Sequence, residues 1–351
     1  MKLSLVLCCK IPSDLNSAVL RTYLSNMFRQ FRYICFLALS FAWTTSSLQA
    51  ELEDHFKKAT DKVMQPQMRN IDFIYMINLD QRPEKYAQCV QKLAPFGIVP
   101  YRFSAVNGWE LPIEAINEVG LKYETWMNSE IWGTSYLPSG NLEPFHEIIQ
   151  EPGRTYFCHC MSRGAIGIVL SHLSILQDAY DSGFETIWVM EDDIEIIHSP
   201  HYMSDFIDDL DSLLGKDGWD ILFTDQDTIS SEGNRIPCSA YAKRPNFVPP
   251  NPDRFEEKYN INPDLRYIGS RYGAYSMIVR RSGMKKILDF IKAHSIFLPY
   301  DMEYTLPPKI RLFTVTTDIV STQIQAPSDN GGPNYLNRGI KDFLVEGETD
   351  D

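Results

Sequence analysis

One nine-residue stretch constrains this chain more than any other: Thr186-Ile-Trp-Val-Met-Glu-Asp-Asp-Ile194. Four consecutive apolar residues, Ile187 to Met190, fit a strand covered on both faces, the kind found in parallel α/β sheets. That strand runs directly into three carboxylates, Glu191, Asp192 and Asp193. Acids crowded at one strand end repel each other unless something positive neutralises them. A divalent cation with hard oxygen ligands, often one that also carries phosphates, meets that need. The simpler alternative is a set of solvated loop acids, or a cap for the next helix.

The surrounding pattern alternates strands with helices. Ile71 to Leu79 reads as a first strand, and Asp80-Gln-Arg-Pro-Glu-Lys turns it into a helix over 83–95 with Pro83 in its first turn. Pro100 to Val106 is a second short strand, closed by Asn107-Gly108. Between 164 and 180, apolar residues at 166, 169, 170, 173, 176 and 179/180 follow the i, i+3, i+4 spacing of an amphipathic helix, ended by Gly183. Further on come an acidic helix over 206–214, a strand over 219–224 that ends in Asp225-Gln-Asp227, and a strand over 275–279. A helix over 282–291 capped by Ser282 and a last strand over 310–315 follow. The reading is an α/β protein with a mostly parallel sheet flanked by helices. Residues 109–160 and 229–265 read as irregular insertions, the first a long loop with short helices. The domain occupies 71–325, after a charged spacer over 51–70 and before a flexible Gly/Asn/Asp-rich tail over 326–351.

Charge is unevenly spread. The chain carries -13 overall, yet residues 1–50 hold five Lys/Arg and one acid, leaving about -17 on the rest. Such an acidic body is unsuited to nucleic acid or an anionic membrane surface, though it can take an anionic nucleotide through a metal and a few local cations. Within 1–50, the apolar run Ile34 to Trp43 follows Arg29 and Arg32 and precedes Thr44 to Ala50. That is the layout of a secretory signal, with Met27 as a candidate start and cleavage expected after Ala50. The alternative is an uncleaved segment that anchors the chain to a membrane. Cleavage implies a periplasmic or lumenal protein, and retention a membrane-anchored one. Seven cysteines show neither a CxxC pair nor zinc spacing, and Cys158-His-Cys160 is incomplete as a metal site. Four of them lie beyond residue 50, so a disulfide is allowed but not required.

Taken in order, the segments resemble glycosyltransferase family 25, whose members include lipopolysaccharide sugar transferases and collagen galactosyltransferases. Four blocks carry the resemblance: Ile77-Asn-Leu-Asp-Gln-Arg-Pro-Glu-Lys85, Gly164 to His172, Val189-Met-Glu-Asp-Asp-Ile194 and Gly273 to Gly283. Pro299-Tyr-Asp301 fits a weaker fifth. Lys85 and Tyr86 depart from the first block, and the two insertions are particular to this chain. The resemblance implies a GT-A-like (Rossmann-like) fold, a nucleotide-sugar donor such as a UDP-hexose, Mn²⁺ or Mg²⁺, and inversion at the sugar. The acceptor would be a hydroxyl on a cell-envelope glycan or a glycoprotein.

On this reading Asp193 and Glu191 hold the metal, with Asp192 part of the cluster but turned the other way. Asn78, Asp80, Arg82, Ser171, His172 and Glu191 bind the donor. Asp301 leads as the base that takes the acceptor's proton or as a second metal contact, and Asp225 and Asp227 are rivals for base or metal ligand. Gly164 and Gly273 allow close backbone approach. Two other classes compete. One is a non-catalytic sugar- or nucleotide-binding protein on a transferase-like fold. The other is a metal-dependent phosphoesterase, for which the tight His/Asp ligand set is missing.

Overall fold

The computed structural model describes residues 52–64, 67–138, 143–324 and 326–337. The segment 1–50, with its expected signal or anchor and candidate start, lies outside the described residues, as does 338–351. Among the described residues no helix is long and apolar enough to cross a membrane.

In chain order the elements are β1 (Phe73–Asn78), α1 (Pro83–Leu93), β2 (Tyr101–Ser104), α2 (Ile113–Val119), β3 (Leu121–Lys122), β4 (Trp132–Tyr136), β5 (Pro144–Ile148) and β6 (Thr155–Cys158). Then come α3 (Arg163–Asp181), β7 (Thr186–Glu191), β8 (Ile194–Ile196), α4 (Tyr202–Leu214), β9 (Ile221–Phe223), β10 (Lys258–Asn260) and β11 (Leu265–Ile268). The last are β12 (Ser276–Arg280), α5 (Arg281–His294), α6 (Tyr300–Glu303), β13 (Leu312–Val315) and β14 (Val320–Thr322).

Eight strands form the main sheet in the order β10-β11-β13-β9-β12-β7-β1-β2. Side chains alternate across it with the two-residue period of a strand. On β1, Phe73, Tyr75 and Ile77 enter one core, while Ile74 and Met76 enter the other. Ile187 and Val189 of β7 join the first, and Trp188 and Met190 the second. Helices α3 and α5 cover the first face and α1 and α4 the second, which explains why the central strands are apolar throughout. At roughly 1.5–3 kcal/mol per large apolar side chain, these two cores supply most of the drive to fold.

This is the expected GT-A-like α/β architecture, with a mixed sheet. β1 runs parallel to β2 and β7, and β9 parallel to β13, whereas β12 runs antiparallel to both β7 and β9. Because β12 is reversed, the register places its start, Ser276, opposite Met190 near the end of β7. The loop before β12 therefore meets the carboxyl ends of β1, β7 and β9 along one edge.

Several segments differ from the sequence reading. Residues 109–160 contain α2 and a four-stranded antiparallel sheet, β3-β6-β4-β5, not a loop with short helices. Those strands are short, and β5 is largely exposed, so no clear period marks them. Residues 52–64, read as a spacer, pack on the domain: Leu52 is buried, and the Lys57 Nζ donates to Ser104 Oγ at 2.9 Å and Ala105 O at 2.7 Å. Ser282 does not cap α5, which begins at Arg281; its hydroxyl donates to Asp220 Oδ1 at 2.6 Å. Residues 326–337, read as part of a flexible tail, fold back over the sheet edge.

Candidate active site at the carboxyl edge of the sheet

The cleft at this edge is built from three chain turns. After β1, Asn78 is buried and its amide donates to Asp192 Oδ2 at 2.6 Å and to Arg82 O at 2.8 Å. After β2, Ala105 to Trp109 forms one wall. Here α3 lies so close that a Cβ on Gly108 would fall 1.8 Å from Arg163 O, and one on Gly167 2.5 Å from Val106 O. Only glycine at both positions permits that approach. After β7, Glu191, Asp192 and Asp193 form the floor.

The three acids are held differently. Asp192 faces Asn78, with the Lys85 ammonium 3.8 Å from its other oxygen; burial raises its carboxyl pKa while Lys85 and Asn78 oppose the rise. Glu191 Oε1 lies 3.0 Å from His172 Nε2, and the buried His172 ring stacks on Tyr300 at 4.1 Å between centroids. Asp193 is the exception: its Oδ1 is enclosed with no hydrogen-bond partner among the described residues. Burial, with Glu191 and Asp192 alongside, pushes its carboxyl up to about 7. The nearby Lys85 charge opposes that rise; an enclosed carboxylate oxygen without a hydrogen-bond partner fits a cation. No group of three His, Cys, Asp or Glu side chains converges as a metal site among the described residues.

The roof comes from far along the sequence. Asp329 makes a buried two-pronged pair with Arg82, at 2.6 Å to Nε and 2.8 Å to Nη2. Trp109 Nε1 donates to Asp329 O at 2.7 Å, and the Asn107 amide to Tyr335 Oη at 2.9 Å. Ser162, the N-cap of α3, donates to Asn330 O at 2.6 Å, and Lys85 to Pro327 O at 2.6 Å. A Cβ on Gly164 would sit 2.5 Å from Asn330 O, so glycine is required where this strap crosses the helix.

The sequence-derived residues thus sort into groups. Glu191, Asp192, Asp193 and Ser171 line the cleft. The Ser171 hydroxyl is already engaged, donating to Gly167 O and accepting from Val106 N. Asn78 and His172 hold cleft acids in place from behind. Two expected donor ligands are directed elsewhere. Arg82 is taken up by Asp329, and Asp80 binds Arg102 at 2.9 Å and Ser104 at 2.8 Å. Desolvation opposes ionisation of Asp80, yet those two donors hold its carboxyl below its ordinary pKa. Asp301 accepts from Gly273 N at 3.0 Å and lines a small neighbouring cleft with Tyr272 and Met302. Burial raises its pKa against that N–H, and it feels the charges of Glu191 and His172.

Asp225 is corrected outright. It is fully buried and fully satisfied: it pairs with Arg271, accepts from the Tyr275 hydroxyl at 2.5 Å and from Ser321 at 2.8 Å. An acid so enclosed has no free oxygen for a metal or a substrate proton. Asp227 is mostly buried and pairs with Lys258 at 2.9 Å. Sequence reasoning missed Trp109, Ser328, Asp329 and Asn330 as cleft residues. The polar tail carried no periodic signal that could have revealed them.

A family model described as Glycosyltransferase family 25 (LPS biosynthesis protein) matches residues 71–303. A protein of Aedes aegypti named glycosyltransferase 25 family member is 27% identical over 172 residues, 49% of this chain and 24% of the relative. A Drosophila melanogaster protein of the same name is 25% identical over 181 residues, 52% of this chain and 25% of the relative. A human protein named inactive glycosyltransferase 25 family member 3 is 25% identical over 194 residues, 53% of this chain and 27% of that protein. The matched part spans about a quarter of the length of these curated relatives.

Proposed function

This chain belongs to glycosyltransferase family 25, and we propose that it is a metal-dependent hexosyltransferase. In this reading it moves a hexose from a nucleotide-sugar donor, such as a UDP-hexose, to a hydroxyl of a cell-envelope glycan or glycoprotein, with inversion. The observation that carries it is Asp193: an enclosed carboxylate oxygen without a partner, at the floor of a cleft beyond the ends of β1 and β7. That edge is where open α/β sheets take their ligands.

Asp193 and Glu191 would hold Mn²⁺ or Mg²⁺. Such a cation, when bound, neutralises charge on the departing nucleoside diphosphate. His172 fixes the Glu191 carboxylate from the buried side. Lys85 stands on the cleft wall and offers a second positive group to phosphate oxygens. Asp301, in the neighbouring cleft, would take the proton of the attacking acceptor hydroxyl; burial raises its carboxyl pKa, the direction a general base needs. Arg82 acts through Asp329, setting the strap and not the donor.

The human relative named inactive gives the binding-protein alternative a specific basis. Donor hydrolysis decides between them. The full chain is incubated with a panel of nucleotide sugars, with Mn²⁺ or with chelator, beside Asp193→Asn. Release of nucleoside diphosphate from one donor, abolished by chelator and reduced at least 100-fold in the variant, is expected. Saturable donor binding without turnover, with or without a panel of acceptor glycans, would make the chain a binder.

A further inference from the structure

The turn between β6 and α3 carries two thiols that the proposed chemistry does not use. Met161 N donates to Cys158 O at 3.0 Å, which closes Cys158-His159-Cys160-Met161 into a tight turn. The turn brings the Cys158 and Cys160 sulfurs to 3.0 Å, closer than unbonded sulfurs ordinarily sit. Cys158 is buried and Cys160 exposed. Cys160 opens onto a cleft shared with His146, His159 and Ser162, so a small molecule can reach it. The other described cysteines are arranged differently. Cys89 is buried in the second core, and Cys238 directs its thiol to Ala240 O.

We propose that Cys158 and Cys160 form a reversible dithiol–disulfide pair, with Cys160 the attacking sulfur and a small disulfide of the glutathione type the oxidant. The geometry meets the main requirement, since one chain turn already faces the sulfurs toward each other. Closure to a bond of about 2.05 Å needs a relative shift of about 1 Å. Reactivity points the same way. The Cys158 S–H directed at its sulfur holds the Cys160 thiol down at about 7, while that contact and burial push Cys158 up. A lowered thiol is the one that attacks.

The chemistry balances in two exchanges. The Cys160 thiolate attacks one sulfur of the oxidant, forming a mixed disulfide and expelling one glutathione thiolate. Cys158 then gives up its proton and attacks the Cys160 sulfur, forming the protein disulfide and expelling the second glutathione thiolate. Two protein thiols are oxidised and one glutathione disulfide is reduced to two thiols. The tied turn ends one residue before Ser162, whose hydroxyl holds Asn330.

The test uses the full chain in glutathione buffers of graded poise. Samples are quenched with acid, free thiols are blocked with N-ethylmaleimide, and the peptide holding residues 158–160 is weighed. Expected are two labels at reducing poise, and at oxidising poise no label with the mass lower by two hydrogens. Cys158→Ser should keep one glutathione on Cys160, whereas Cys160→Ser should leave Cys158 unmodified over the same time. In the native reduced protein, iodoacetamide should label Cys160 at least tenfold faster than Cys158. Two labels at every poise, or a glutathione adduct on wild-type Cys160 that never resolves, would overturn the proposal. Neither result bears on the transferase reading, because neither thiol has a role in it.

Discussion

Asp193 and Asp225 occupy equivalent places in the sequence: each follows a short apolar strand, and each lies in an acid-rich tip. The fold treats them in opposite ways. Asp225 receives Arg271, Tyr275 and Ser321, so its burial is compensated on every side. Asp193 is left with an enclosed oxygen that nothing among the described residues satisfies. A buried ion pair needs no ligand, whereas an uncompensated carboxylate costs stability until something positive arrives. The difference between a structural acid and a binding acid therefore lies in partners elsewhere in the chain, not in the local motif.

The contrast can be broken first at Arg271. Arg271→Met should strand Asp225 and cost about 3–5 kcal/mol, read as a fall in the denaturant midpoint; a cost under about 1 kcal/mol would mean Asp225 is not held as described. Asp193→Asn should do the reverse, with stability equal or higher and donor turnover at least 100-fold lower, about 2.7 kcal/mol in the barrier.

The pH dependence sharpens the same point. Asp193 titrates at about 7 when folded, above its ordinary 3.8, so the unfolded chain loses this proton first. Its contribution to stability should fall as pH rises through the window from about 4 to 7 and then level off. Thermal melts of wild type and Asp193→Asn should diverge across that window, and Mn²⁺ at pH 7.5 should close the gap by raising only the wild-type midpoint. A gap that is constant from pH 4 to 8 would contradict this account. The smallest global effect belongs to the strap. Asp329→Asn should lower the unfolding midpoint less than Arg271→Met does, because asparagine keeps an oxygen that can still accept from Arg82. It should still speed amide exchange at Asn330 and raise the donor KM several-fold.

Much of this is legible in the sequence. The runs Phe73 to Ile77 and Ile187 to Met190 are apolar because helices cover both faces, and that pattern is local. The floor of the cleft was legible for the same reason: three of its acids are consecutive. The reversal of β12 was not, since Ser276 to Arg280 would look the same in either direction. Nor was the fate of Asp225, whose partners lie 46, 50 and 96 residues away. The strap was hidden for a different reason. It docks through polar bonds at Asp329, Asn330 and Tyr335, and its Gly/Asn/Asp-rich composition resembles that of an unattached tail.

That strap has a consequence for the order of synthesis. The floor and walls of the cleft are complete once α3, β7 and β12 have emerged, but the cover resides in residues 326–337. A nascent chain still lacking those residues presents an open acidic trough, with Arg82 without its carboxylate and Trp109 without its carbonyl. Vectorial folding then places closure of the pocket after formation of the sheet that it depends on.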